Sequence, residues 1–386
     1  MKCLIAFLQF ACAVAAFGAW PLQTRIDELA AAGGGTLTLT AGVYRTGALY
    51  FRPGVNLHLD KDAAIIGVDG AEGYPKTMTR IEGETCEYYP ALINADACNG
   101  FTISGEGTID GHGANTWEEF WTGLEAAQKE GRAYSNKTPM RPRLLFVSNS
   151  TNVNVSGVTF KNSKFWTTHY YNCSDVKVTG CGFIAEVLKD SRGNDLFGPS
   201  TDGIDIDRCE DFVVSNCLFA VNDDAVAIKG GKGPWADDYA KHPENGPSRR
   251  VLIADCVMRY PTHHCLSIGS ECPEADGIIL RDCRIEGVRD LLNLKLRTDT
   301  PQRYSNVLVE NTCGSCDAFL EINARTTDAA LGGRGETELM SYVNGVTMRG
   351  NTVVCRNRRI GSGEGRFFIV DGLKLENNRI NVIGEK

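Results

Sequence analysis

Residues 153–160 read VNVSGVTF, 176–183 VKVTGCGF, 212–219 FVVSNCLF, 251–258 VLIADCVM and 278–285 IILRDCRI. Apolar residues fall at relative positions 1, 3, 6 and 8 of each block, as in Val153, Val155, Val158 and Phe160. Each block is therefore two short alternating runs, a strand signal, broken by a polar pair such as Ser156-Gly157 or Ser215-Asn216. The blocks recur at intervals of 23 to 39 residues, with weaker copies from Val307, Val346 and Leu373 and an earlier one at Phe101 and Ile103. A unit of this size cannot bury an apolar face alone and does so by stacking on its neighbours. Strands joined by tight turns rather than by helices point to a right-handed parallel β-helix. Cys181, Cys217, Cys256 and Cys283 share one repeat position, so they should stack inside as small buried thiols.

Outward from the repeat, Thr24 to Ala32 is expected to form a short N-terminal helix. Thr24 and Asp27 are spaced like a capping box, and Gly33-Gly34-Gly35 stops the helix. Such a helix would cover the open apolar end of the first coil. Asn115 to Arg132 is the one other helical stretch and reads as a surface insertion. Residues 1–19 have the make-up of a signal peptide: Lys2, an apolar run from Leu4 to Phe17, and small residues up to Ala19. Residues 20–386 are then expected to be a single β-helix catalytic domain, secreted or periplasmic and monomeric. No other run is long and apolar enough to span a membrane. The net charge of −8 argues against a nucleic-acid partner, which would need a basic face. With Cys3 and Cys12 in the leader, 13 cysteines remain, an odd number. Pairing of Cys313 with Cys316, or of Cys86 with Cys98, stays open.

Laying one coil over the next also locates a site. Ile204-Asp205-Ile206, Val226-Ala227-Ile228, Leu266-Ser267-Ile268 and Leu294-Lys295-Leu296 align as one stacked strand. Two residues before them come Asp202, Asp224, His264 and Leu292; one residue beyond come Asp207, Lys229, Gly269 and Arg297. Asp223 stands beside Asp224. Taken singly, Asp202-Gly203 reads as a turn and Asp223-Asp224 as a solvated pair or a calcium ligand. Their register unites them, because neighbouring strands lie only about 4.8 Å apart. Carboxyls so crowded cannot all stay charged, and a protonated carboxyl beside an ionised one is what glycosidic cleavage requires. Such chemistry asks for no metal and no cofactor. The nearby cations suit a substrate that carries carboxylates of its own.

At these residues the sequence resembles glycoside hydrolase family 28, the polygalacturonase family, from about Ala31 to Ala324. The family's motifs correspond to Ser200-Thr201-Asp202, Asp223-Asp224, His263-His264-Cys265 and Lys295-Leu296-Arg297. The segments TRIEGE (79–84), RPRLLFV (141–147) and GVTFKNSKFWTTHYYNC (157–173) resemble the bacterial, largely exo-acting branch. The resemblance implies inverting hydrolysis of α-1,4-galacturonosidic bonds in pectin, acting from a chain end. It makes Asp223 the general acid, and Asp202 and Asp224 the pair that orients and deprotonates water. It sets His264 close by and gives the galacturonate carboxylate to Lys295 and Arg297. The sequence departs from the family at Ser200 (usually Asn), at His263 and Cys265 (usually Gly), and in the exchanged order of Lys295 and Arg297. These changes open a second substrate class, branched pectin of the rhamnogalacturonan type. A β-helix pectate lyase would want a calcium-binding acidic cluster and an arginine base. A non-catalytic adhesin would have no use for a registered acidic column.

Overall fold

The computed structural model describes residues 21–325, 332–335, 337–357 and 364–383; the leader expected at 1–19 lies outside them. The repeat blocks become strands that pair in parallel, coil on coil. Val153, Val176, Phe212, Val251 and Ile278 are consecutive partners in one sheet. Phe160, Phe183, Phe219, Met258 and Ile285 are consecutive partners in the next. A third set, from Leu49–Phe51 through Thr168–Tyr171, Ile204–Asp207, Val226–Lys229 and His264–Gly269, completes each turn. Two long strands, Arg284–Arg297 and Cys313–Arg325, run through the second and third sheets without a break. The result is the parallel β-helix that the blocks imply.

The polar pair inside each block makes the bend between the first and second sheets. Gly157, Gly180, Asn216, Asp255, Asp282 and Asn311 all stand there in the left-handed region, with φ between 52° and 77°. Only glycine, asparagine and aspartate take that conformation readily, hence the residue types at this position. Inside the bend the cysteine column forms as the spacing requires. Leu218, Val257 and Arg284 donate their N–H groups to the carbonyls of Cys181, Cys217 and Cys256, each at 2.9 Å. The thiols turn back onto their own strands: Cys217 donates to Ser215 O at 3.3 Å and Cys283 to Arg281 O at 3.2 Å. Beside them Phe160, Phe183 and Phe219 stack with centroids 5.4 and 4.8 Å apart. All 13 described cysteines are free thiols, so neither candidate pair is a disulfide.

The N-terminal helix, α1, spans Pro21–Ala31 and buries Leu22 and Ile26 against the first coil. Its start corrects the capping-box reading. Residues 21–23 are already helical, so Thr24 lies inside the helix rather than at its cap. The insertion helix, α2, spans Ala114–Lys129. It is moored by Trp117, fully buried, whose Nε1 donates to Ser163 O at 2.8 Å. The guanidinium of the buried Arg141 lies over Phe120 of this helix at 4.4 Å and over Phe165 at 4.1 Å. No helix among the described residues is long and apolar enough to cross a membrane.

Candidate active site

The third sheet carries the site, and its register differs from the sequence alignment in one strand. Ile204 pairs with Val226 and Val226 with Leu266, as expected, but Leu266 pairs with Leu292 rather than Leu294. The fourth strand is therefore shifted by two residues. Asp290, not Leu292, continues the column of Asp202, Asp224 and His264, and Lys295, not Arg297, follows Lys229 and Gly269. Alternation has a period of two, so a two-residue slip along Leu292, Leu294 and Leu296 leaves the apolar pattern unchanged. The column is thus ionisable in all four coils.

Backbone hydrogen bonds fix these residues. Thr167 N–H donates to Asp202 O at 2.7 Å, Gly203 to Asp224 O at 2.8 Å, and Ala225 to His264 O at 2.8 Å. Gly203 is needed for closeness rather than for a turn: a Cβ there would meet Ala225 O at 2.6 Å and the Phe219 ring at 2.7 Å. Asp202, Asp224, His264 and Asp290 are all buried. Asp223 faces the open side, with 29% of its side chain exposed and His263 Nδ1 3.5 Å from its Oδ1.

The column is wired from its far end. His264 Nδ1 lies 2.6 Å from Asp290 Oδ2, and His264 Nε2 lies 3.7 Å from Asp224 Oδ1. Asn293 Nδ2 also donates to Asp290 at 3.1 Å. Burial raises the Asp290 carboxyl, but the His264 contact, Arg289 and Asn293 outweigh it and hold its pKa below the usual range. An ionised Asp290 fixes the ring so that Nε2 points at Asp224.

The cations divide by role. Lys295 Nζ donates to both oxygens of Asp224, at 3.0 and 2.7 Å, and keeps 24% of its side chain exposed. Lys229 lies 3.2 Å from Glu271 and 3.7 Å from Asp205, over the Trp166 ring. Arg297 gives its fork to Asp299 with two contacts of 2.7 Å, and Nη1 points toward Glu271 at 3.9 Å. Asp207 is an ion-pair residue, 3.0 Å from Arg80 and 3.3 Å from His169.

The carboxyls are pushed apart. Burial, then the charges of Asp205, Asp223 and Asp224, hold the Asp202 carboxyl well above the carboxylate range. Burial likewise raises Asp205, against the pull of Lys229. Burial also raises Asp223, but the His263 contact and the positive charges of Lys295, His263 and His264 outweigh it and hold Asp223 low. Without substrate, protons therefore sit on the Asp202–Asp205 side and Asp223 is ionised. One neutral and one charged carboxyl thus share a half-open site, the combination that acid–base chemistry uses.

Sequence reasoning missed Asp290, Glu271, Asp299 and the role of His263. It also missed a cavity of about 610 Å³ that Asp223 helps to line. Its walls include Phe120 and Trp121 of α2, Phe197, Tyr260 and Arg289. One signal was available for Asp290. Asp224, His264 and Asp290 lie 7, 8 and 7 residues beyond Cys217, Cys256 and Cys283 of the internal column.

Known proteins share the chain's sequence pattern and its fold. The family model for glycosyl hydrolases family 28 matches residues 72–312, more than half of the chain. An endo-polygalacturonase of Pectobacterium carotovorum subsp. carotovorum is 27% identical over 294 residues, 72% of this chain and 66% of that protein. A probable polygalacturonase of Vitis vinifera is 25% identical over 258 residues, 64% of this chain and 47% of that one. The chain thus spans about half to two thirds of the length of these curated relatives. Among solved structures, an exopolygalacturonase from Thermotoga maritima superposes with a TM-score of 0.68 at 21% identity, covering 93% of this chain and 87% of that one. An endo-xylogalacturonan hydrolase from Aspergillus tubingensis gives 0.65 at 14% identity, over 92% and 87%. At such identities the structural likeness speaks for the fold alone.

Proposed function

Because the chain belongs to glycosyl hydrolases family 28, we propose that it hydrolyses galacturonosidic linkages of pectin by inverting single displacement, with Asp223 as the general acid. One observation carries this reading: Asp202 and Asp224 are buried in adjacent coils while Asp223 alone is set to the open side. An acid must reach the leaving oxygen from one side, and the water-holding pair must stand opposite, roughly 6.5–9.5 Å away for an inverting enzyme. Asp223 is then the proton donor, Asp202 and Asp224 hold the water, and Asp224 takes its proton. His264, oriented by Asp290, supports Asp224. Lys295 takes the galacturonate carboxylate, assisted by the charge of Arg297.

The low pKa of Asp223 in the free protein fits a substrate-triggered acid. A bound galacturonate would cover Asp223 and offset the positive field of Lys295, and both effects raise its pKa toward the protonated form. Exo action is proposed on the resemblance of residues 79–84, 141–147 and 157–173 to the exo-acting branch. The activity is assigned to residues 20–386 as one catalytic unit, sent out of the cell by the leader at 1–19.

The test is product analysis on oligogalacturonides. Hydrolysis gives new reducing ends with no ultraviolet-absorbing double bond, and proton NMR shows the β-anomer of galacturonate first. Unsaturated products would mean a lyase, and an absence of products a binding protein. A ladder of intermediate oligomers at early times would replace exo with endo action.

A further inference from the structure

One position before the members of the outer column stands a second row: Asp223, His263 and Arg289 precede Asp224, His264 and Asp290. The backbone ties this row together coil by coil. His263 N–H donates to Asp223 O at 2.9 Å, and Asp290 N–H donates to His263 O at 2.8 Å. The His263 ring is thereby set beside the proposed acid, with Nδ1 3.5 Å from Asp223 Oδ1. Position 263 is one at which this chain departs from its family, so the ring is a property of this protein.

The two histidines of this bend are differently committed. His264 is buried, and its ring nitrogens face Asp290 at 2.6 Å and Asp224 at 3.7 Å. His263 keeps 44% of its side chain exposed and lines the cavity, where it meets water. The other charged groups on that cavity are Arg289 and Asp317. Asp317 is paired with Arg356 at 3.3 Å, and Arg289 lies 4.0 Å from Asp290. Lys295, which holds Asp224, and the buried Arg141 act on Asp223 by charge.

Asp223 is ionised in the free protein, so it must gain a proton before it can act as an acid. A sugar bound over Asp223 cuts it off from bulk water, and the proton must then come from a neighbour. His263 alone among these groups touches both Asp223 and solvent and holds a proton that it can release near neutral pH. Lysine and arginine keep theirs. We propose that His263 and Asp223 share one proton, and that His263 hands it to the acid when substrate binds. The Nδ1–H bond of the imidazolium breaks and an O–H bond forms on Asp223. Asp223 passes that proton to the leaving oxygen as the glycosidic C–O bond breaks. The proton of the attacking water goes to Asp224 and on to solvent, and neutral His263 takes a proton from solvent for the next turnover. One water is consumed and the protein is left unchanged. His263 acts through Asp223, so the inference rests on the reading of Asp223 as the acid.

His263→Gly and His263→Gln test it in the intact protein, on an oligogalacturonide and on an aryl galacturonide with an acidic phenol. On the oligogalacturonide kcat should fall at least tenfold in both variants with KM within twofold, while the aryl substrate stays within threefold. The alkaline limb of the pH–rate profile should move acidward by at least one pH unit, because a lone carboxyl gives up its proton at lower pH than an imidazolium. Added imidazole should raise the rate of His263→Gly at least fivefold and leave His263→Gln unchanged, since glutamine fills the space. Melting temperatures should match the parent, because the ring is half exposed. An unmoved alkaline limb, equal losses on both substrates, a parental rate in His263→Gln or an impaired His263→Gly that imidazole does not rescue overturns this inference. Asp223 remains the acid in each of those cases if Asp223→Asn still loses the oligogalacturonide alone. Full oligogalacturonide activity in Asp223→Asn, or a parent that cuts neither substrate, overturns both.

Discussion

Two columns run along the same stack with the same spacing, one inside the helix and one outside. Inside, Cys181, Cys217, Cys256 and Cys283 rise beside the stacked rings of Phe160, Phe183 and Phe219. Outside, Asp202, Asp224, His264 and Asp290 rise in the same coils. Backbone pairing places both, yet their energetics are opposite. The inner column removes apolar surface from water and stabilises the fold. The outer one buries carboxyls at one another's expense, so it costs the fold stability.

The contrast can be broken from either side. Asp202→Asn should lower kcat on oligogalacturonides on the order of 10³-fold. The melting temperature should stay level or rise, because Asp202 is held protonated and asparagine spares the fold a disfavoured charge. A large drop in melting temperature would mean that the outer column is structural after all. Phe183→Ala should do the reverse. Removing the middle ring of the stack should cost about 3–5 kcal/mol in urea unfolding, while surviving folded protein keeps its kcat. Lost activity in correctly folded Phe183→Ala would show that the two columns are not separable.

A third prediction concerns the buried His169–Asp207 pair in the same sheet. Burial, with the charges of Arg143 and Arg80, presses His169 down to about 4 against the pull of Asp207. In the unfolded chain a histidine titrates near ~6.5. Below that pH the unfolded state takes up the proton first, so stability present at neutral pH is lost as pH falls from about 6.5 to 4, by on the order of 3 kcal/mol. His169→Asn should flatten this part of the stability–pH curve in melts between pH 7 and 4.5; parallel curves would refute it. The smallest effect is expected from Asp290→Asn, on the order of 10–100-fold in kcat. The acid limb of its pH–rate profile should move while KM holds, since Asp290 acts only through His264.

The same two columns show what was legible in the sequence. The inner one could be read completely, because every block announces its bend with a residue suited to positive φ, such as Asn216 or Asp282. The three aspartates and His264 followed from it. The outer register failed at Arg284–Arg297, where a single strand passes through two sheets with no turn to mark the boundary. Leu292, Leu294 and Leu296 then fit equally well in two registers, and Asp290 was lost to the choice. Counting from Cys283 would have recovered it. The aromatic cavity was beyond reach for another reason: its walls come from the insertion at 114–129 and from turns at 197–200 and 260–263, which follow no repeat.

The central claim is that Asp223 delivers a proton to the leaving oxygen, and Asp223→Asn assayed on two substrates tests it most directly. On an oligogalacturonide, whose leaving alcohol needs that proton, kcat/KM should fall on the order of 10³-fold. On an aryl galacturonide with an acidic phenol, which departs unaided, it should stay within tenfold of the parent. Equal losses on both substrates, in a variant with an unchanged melting temperature, would contradict the account and send the search for the acid elsewhere in the column.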